Sequence, residues 1–131
     1  MSTDINKSEI VYFRSDTEHE LIGPVHSYGY IGSNVTFTCV SPLGTCLEMN
    51  WYKQLINFRR DIIFTGHNGM SYMTDKYNVR NSTVGCQLTV ISVQLSDAGI
   101  FKCELVISHI SINESARLLV FSKLCTIILL W

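Results

Sequence analysis

Asp97-Ala98-Gly99-Ile100-Phe101-Lys102-Cys103 reads as a turn that feeds a strand carrying a buried cysteine. The stretch Gly32-Ser33-Asn34-Val35-Thr36-Phe37-Thr38-Cys39 carries a second such cysteine. There Val35, Phe37 and Cys39 fall on one side, and Asn34, Thr36 and Thr38 on the other. That period of two is the mark of a half-buried strand. Between the two cysteines, Met49-Asn50-Trp51-Tyr52-Lys53-Gln54 makes another strand, with Trp51 on its core side.

Working outward, residues 1–8 read as a disordered or artificial lead-in, and residues 9–14, with Ile10, Val11, Tyr12 and Phe13, as a first edge strand. Residues 19–25 break at Gly23-Pro24, as an edge strand that kinks and switches sheets would. Residues 41–45 form a loop, and Asn57-Phe58-Arg59-Arg60 turns the chain into Asp61-Ile62-Ile63-Phe64. Asn68-Gly69 predicts a type I′ hairpin turn, which needs positive φ at both central residues. Residues 70–73 follow as a short edge strand, and residues 76–79 begin another. Residues 86–90, 102–107 and 116–121 complete the strands, with a loop over 108–113. About nine short strands with turn signals and no helical period predict an all-β, antiparallel sandwich.

The chain of 131 residues is 47% hydrophobic, enough for one domain with a real core. Its net charge of −1 offers no basic surface for nucleic acid and no acidic tail. Five cysteines point to an oxidising compartment. No C-x-x-C pair or Cys/His cluster predicts a metal site. Sequons begin at Asn6, Asn34, Asn81 and Asn113, which favours an extracellular protein. Against this, residues 1–8 have no apolar core of a signal peptide. The expectation is either that a leader has been removed and Met1 is an artificial start, or that export takes another route. Residues 123–131 are strongly apolar but short of the roughly 20 residues of a bilayer span. They read either as the start of a membrane segment or as a greasy tail. His19, His26, His67 and His109 are scattered, and no ordered catalytic or phosphate-binding motif occurs. The expectation is a protein that is not an enzyme and has no cofactor.

With these motifs in hand, residues 9–122 resemble the V-set of the immunoglobulin superfamily. Cys39 and Cys103 stand where that family has its inter-sheet disulfide, and Trp51, twelve residues after Cys39, where it has its core tryptophan. Tyr52-Lys53-Gln54 matches its W-Y-x-Q strand, and Asp97 to Cys103 its D-x-G-x-Y-x-C motif. Lys76 falls where the family often pairs a basic residue with the aspartate, here Asp97. The resemblance implies a V-set Greek-key sandwich. Phe101 replaces the family's corner tyrosine, which implies packing retained and one hydrogen bond lost, about 1 kcal/mol net. The closing strand lacks F-G-x-G, so the likeness is to a non-rearranging receptor or adhesion domain. Of the remaining cysteines, Cys46 follows the Cys39 strand, and Cys86 begins the strand expected beside it from the same end. A Cys46–Cys86 bond is geometrically sensible, against two free thiols. Cys125 is left to pair between chains, to be acylated, or to be a bystander.

V-set domains commonly bind partners through one sheet and the loops at its end. Alternation with Trp51 and Cys103 inward points Asn50, Tyr52, Gln54, Lys102 and Glu104 outward, and the alignment adds Phe64. Outward Tyr52 and Phe64 would then be aromatic anchors of an interface. His109 and Ile110 are candidate loop contacts, although a glycan on Asn113 would crowd them. A glycan on Asn34 would shield the opposite sheet. The resemblance implies the extracellular ligand-binding or adhesion domain of a cell-surface receptor. The alternative is a secreted Ig-like binder or decoy, of viral origin in one version, that modulates immune recognition. The expected partner is another cell-surface or secreted protein, with homophilic or heterophilic Ig–Ig contact among the options. No nucleic acid is expected, and membrane contact only through a C-terminal anchor.

Overall fold

The computed structural model describes residues 21–122. The lead-in 1–8, the edge strand expected at 9–14 and the apolar tail 123–131 lie outside the described residues, with Asn6, His19 and Cys125.

The described residues form nine strands: β1 Ser27–Tyr30, β2 Val35–Cys39, β3 Met49–Gln54, β4 Arg60–Thr65, β5 Met70–Ser71, β6 Tyr77–Ser82, β7 Gly85–Val90, β8 Gly99–Ile107 and β9 Ile110–Phe121. Three short 3-10 turns are the helical content among them. A six-stranded sheet runs in the order β1-β9-β8-β3-β4-β5, and a three-stranded sheet in the order β2-β7-β6. Every pairing is antiparallel except β1 with β9. The exception follows from the sheet switch expected at Gly23-Pro24. Ile22 bridges Val40 beside the end of β2, and after the break Ser27–Tyr30 lies parallel to β9 on the other sheet.

The two sheets close over Trp51, Phe37, Phe101, Met49, Ile63, Leu88, Leu105 and Leu118, each under 2% exposed. The alternation read in β2 holds, with Val35, Phe37 and Cys39 buried and Thr36 exposed. Phe101 stacks on Phe37 at 5.4 Å between ring centroids and meets Tyr77 edge-on at 6.2 Å, so the corner position is packed as an aromatic site. Cys39 and Cys103 are bonded across the sheets with Cα atoms 6.6 Å apart. Cys46 and Cys86 are also bonded, with Cα atoms 5.0 Å apart, which ties the 3-10 turn Cys46–Glu48 to β7. Trp51 Nε1 donates to Cys86 Sγ at 3.4 Å, so the core tryptophan is satisfied by the second disulfide. Lys76 Nζ lies 2.5 Å from Asp97 Oδ2 beneath the turn that opens β8. This two-sheet sandwich with its inter-sheet disulfide fits an immunoglobulin-like fold.

Two local expectations change. In the β4–β5 hairpin only Gly69 has positive φ, so the turn is not type I′. It runs from Gly66 to Gly69, closed by Gly69 N–H to Gly66 O at 3.1 Å. Asn68 Oδ1 instead accepts from Thr65 Oγ1 at 2.6 Å and from the Met70 amide at 3.2 Å, which holds the turn in its observed form. The loop expected over 108–113 is mostly strand. Ile107 pairs with Ile110, which leaves Ser108-His109 as a two-residue turn with Ser108 at φ 54°. Polar residues at 111, 113 and 115 resemble a loop in sequence, but they line the solvent face of β9.

Candidate functional site

Paired residues on neighbouring strands share a face, so the register defines the outer surface of the six-stranded sheet. Asn50 pairs with Glu104, which pairs with Asn113 on its other side, and Tyr52 pairs with Lys102, which pairs with Ser115. Gln54 pairs with Ile100. This brings Asn50, Tyr52, Gln54, Lys102 and Glu104 together on one face, as read from the sequence.

Two of the expected anchors sit differently. Phe64 is in the core rather than outward. A β-bulge between the Trp51–Phe64 and Tyr52–Ile62 pairs gives β4 one extra residue, Ile63. Ile63 and Phe64 then both stand against Trp51, and the alternation slips by one position. Tyr52 lies on the outer side but is only 4% exposed. The Arg60 guanidinium covers its ring at 4.1 Å, and its hydroxyl donates to Glu104 Oε1. It is therefore the floor of the face, not a protruding anchor.

Glu104 is the hub. Besides Tyr52, its Oε1 accepts from Asn50 Nδ2 at 3.2 Å, and its Oε2 accepts from Ser111 Oγ at 2.5 Å. Asn50 Oδ1 in turn accepts from the Gly66 amide at 3.1 Å, which locks the cluster to the β4–β5 turn. Burial works against the Glu104 charge, but hydrogen bonds from Ser111, Tyr52 and Asn50 and the Arg60 charge outweigh it and hold the carboxyl below its ordinary value. Burial, and then the Glu104 carboxylate, push the Tyr52 phenol up. Both groups therefore stay in one protonation state at neutral pH: a charged acceptor and a neutral donor. The cluster is a preorganised polar surface with no proton to exchange.

The Glu104 shift carries a pH dependence. A carboxyl depressed by folding contributes stability that is fully present above the ordinary 4.5 and is lost as pH falls through its lower folded value. In urea titrations at a series of pH values, Glu104→Gln is expected to be less stable than wild type at pH 7. The gap should close progressively below 4.5. A gap that stays constant across that window would show that the carboxylate is not the stabilised species.

Arg60 and Ser111 were not picked out from sequence, because each falls in a segment that reads as turn or loop. The usable signal was the length of the closing strand, had it been extended back to Ile110. Of the other expected contacts, His109 is exposed at the β8–β9 turn and Ile110 is exposed at the start of β9. Lys102 is half-buried, and its side chain makes no hydrogen bond or ion pair with the described residues. Asn34 and Asn81 are exposed on the three-stranded sheet, at the start of β2 and on β6. Asn113 was expected beside a loop but stands on the outer face, cross-strand from Glu104. Among the described residues no group of His, Cys, Asp and Glu could hold a metal. None of their helices is long and apolar enough to cross a membrane. No family model matches the chain, and no curated protein matches it.

Proposed function

We propose that the chain is a V-set domain of the immunoglobulin superfamily that acts outside the cell as the ligand-binding domain of a receptor or adhesion protein. It works by protein–protein recognition and carries no chemistry. The outer face of the six-stranded sheet is the binding surface. The observation that carries this reading is the Asn50–Tyr52–Glu104–Ser111 cluster, a polar surface held rigid by its own hydrogen bonds on a twice-disulfide-bonded sandwich. A face ordered before binding loses little side-chain entropy on contact. Two internal disulfides also favour an extracellular or secreted protein.

The test is flow cytometry of a panel of cells with the multimerised, oxidised and glycosylated domain. Lys102→Glu and Gln54→Arg alter half-buried outer-face side chains away from the Glu104 hydrogen bonds, so the fold should survive. Each is expected to weaken staining by about tenfold or more, as at an interface centre. Arg80→Glu, on the exposed side of β6 in the other sheet, should leave it unchanged. The opposite pattern, with staining lost only in Arg80→Glu, would move the site to the three-stranded sheet and sink the proposal.

A further inference from the structure

The β3–β4 connection ends in an apolar tip that stands clear of the core formed by the described residues. Phe58 is 95% exposed and Ile56 is 84% exposed. Phe58 also stands at φ 61°, next to Asn57 at φ 66°. Positive φ suits asparagine and glycine in a tight hairpin, but it is strained for a bulky aromatic residue. Folding therefore gains neither burial nor local geometry from a phenylalanine here. Strain of this kind collects at functional sites.

The same end of the same face carries a receptor for such a tip. His26, Ser27, Tyr28, Arg117 and Leu119 line an open groove of about 460 Å³. A second groove shares Arg117 and Leu119 with it and reaches Leu55 and Ile56 at the base of the hairpin. Beside the first groove, Tyr28, Tyr30 and Phe121 pack as an exposed aromatic cluster with ring centroids 6.1 to 6.4 Å apart. Tyr28 is 65% exposed and Leu119 is 48% exposed. These residues are paired across β1 and β9, so the patch is a flat, firmly held sheet surface.

We propose that this end of the domain is a self-association surface, in which two copies meet about a two-fold axis and each inserts Phe58 into the Tyr28/Leu119 groove of the other. A two-fold contact must be self-complementary, with residue i meeting j and j meeting i. A knob and a groove side by side on one face meet that condition. The chemistry is complementary as well. Arg117 lines the groove and Arg59 is the chain neighbour of Phe58, so each copy brings a cation close to the other's aromatic residues, where cation–π attraction favours the contact. The net charge of −1 adds little long-range repulsion between copies. Asn34, Asn81 and Asn113 neither line the two grooves nor belong to the aromatic cluster. The surface goes beyond the partner-binding reading above: it occupies the apolar end of the face, away from the Glu104 cluster.

The experiment is sedimentation velocity of the oxidised, glycosylated domain from about 1 to about 300 µM, a span that brackets weak cell-surface affinities. The mass should rise with concentration and stop at twice that of the monomer. Phe58→Gly removes the knob and relieves the strain, so it should melt at or above the wild-type temperature. Leu119→Arg fills the groove from an exposed position. Each variant should raise the dimer dissociation constant by about tenfold or more. An equimolar mixture of the two keeps one intact knob-in-groove contact per pair, so it should associate more tightly than either variant alone. A monomer at every concentration overturns the proposal, and so does a dimer indifferent to both variants. Mass that grows past two copies would make the contact head-to-tail, and a monomer that floats with anionic vesicles would assign the tip to lipid. Either result also overturns it.

Discussion

Cys39→Ala/Cys103→Ala is expected to unfold with at least about 4 kcal/mol less stability than the wild type, measured by denaturant titration under conditions that keep the other disulfide oxidised. The bond joins residues 64 apart in sequence. In the chain-entropy model, a cross-link of that length removes roughly 4 kcal/mol of disorder from the unfolded chain at 25 °C. The native side adds to that loss, because both positions are fully enclosed and the missing sulfur atoms leave a cavity between the sheets. A domain of this size has about 5–15 kcal/mol in total, so the variant should stand at the edge of cooperative folding at 37 °C. The comparison with Cys46→Ala/Cys86→Ala is informative. Its loop is shorter, 40 residues, but it also deprives the buried Trp51 indole N–H of its acceptor. An orphaned buried donor adds about 1 kcal/mol or more, so the second double variant should lose at least as much as the first. If the Cys39/Cys103 variant lost less than about 1 kcal/mol, the unfolded chain would have to be compact already, and the entropic account would fail here.

The second large effect lies beneath the opening turn of β8. Lys76→Met is expected to destabilise the domain by about 3 kcal/mol. Asp97 is 6% exposed, and it accepts from the Gln94 amide at 2.7 Å as well as pairing with Lys76. Lys76 also donates to Ser92 O at 3.2 Å, so the pair pins the loop before β8 to the start of β6. Removing the lysine leaves a buried carboxylate with one amide donor. That is the costly half of breaking a buried pair, typically about 3–5 kcal/mol. The low end applies because the Lys76 side chain is 24% exposed and water screens it in part. Lys76→Met/Asp97→Asn removes both charges and should recover much of the loss, which a double-mutant cycle measures directly. A single-variant loss below about 0.5 kcal/mol would class the pair with ordinary surface ion pairs.

Much of the frame was legible along the chain, and the reasons are local. Alternation in Val35–Cys39 depends only on the two-residue repeat of a strand. The Gly23-Pro24 break announces a sheet switch because proline cannot donate to a ladder. Asn68-Gly69 marked a hairpin correctly but not its turn type, since the Asn68 side chain makes bonds that dipeptide statistics do not contain. Residues 108–113 read as a loop for a related reason, although most of them are strand. Ser111, Asn113 and Ser115 are polar because they face solvent from β9, and polarity alone does not separate an exposed strand face from a loop.

The binding face divides along the same line. Residue types and their alternation put Asn50, Tyr52, Gln54, Lys102 and Glu104 on one side of the sheet, because each pair of neighbours within a strand points to opposite faces. Strand alternation and turn signals thus determined the sandwich and the sidedness of β3 and β8, while the family resemblance implied the Cys39–Cys103 bond and the Lys76–Asp97 pair, and Cys46–Cys86 stayed open between a bond and two free thiols. Only the tertiary structure decided what that side presents. The bulge at Ile63 carries Phe64 into the core, Arg60 closes over Tyr52, and the β8–β9 register sets Ser111 and Asn113 beside Glu104. Each of these depends on how one strand is placed against another distant in sequence. A shift of one residue in that placement exchanges the two faces while leaving every local pattern intact.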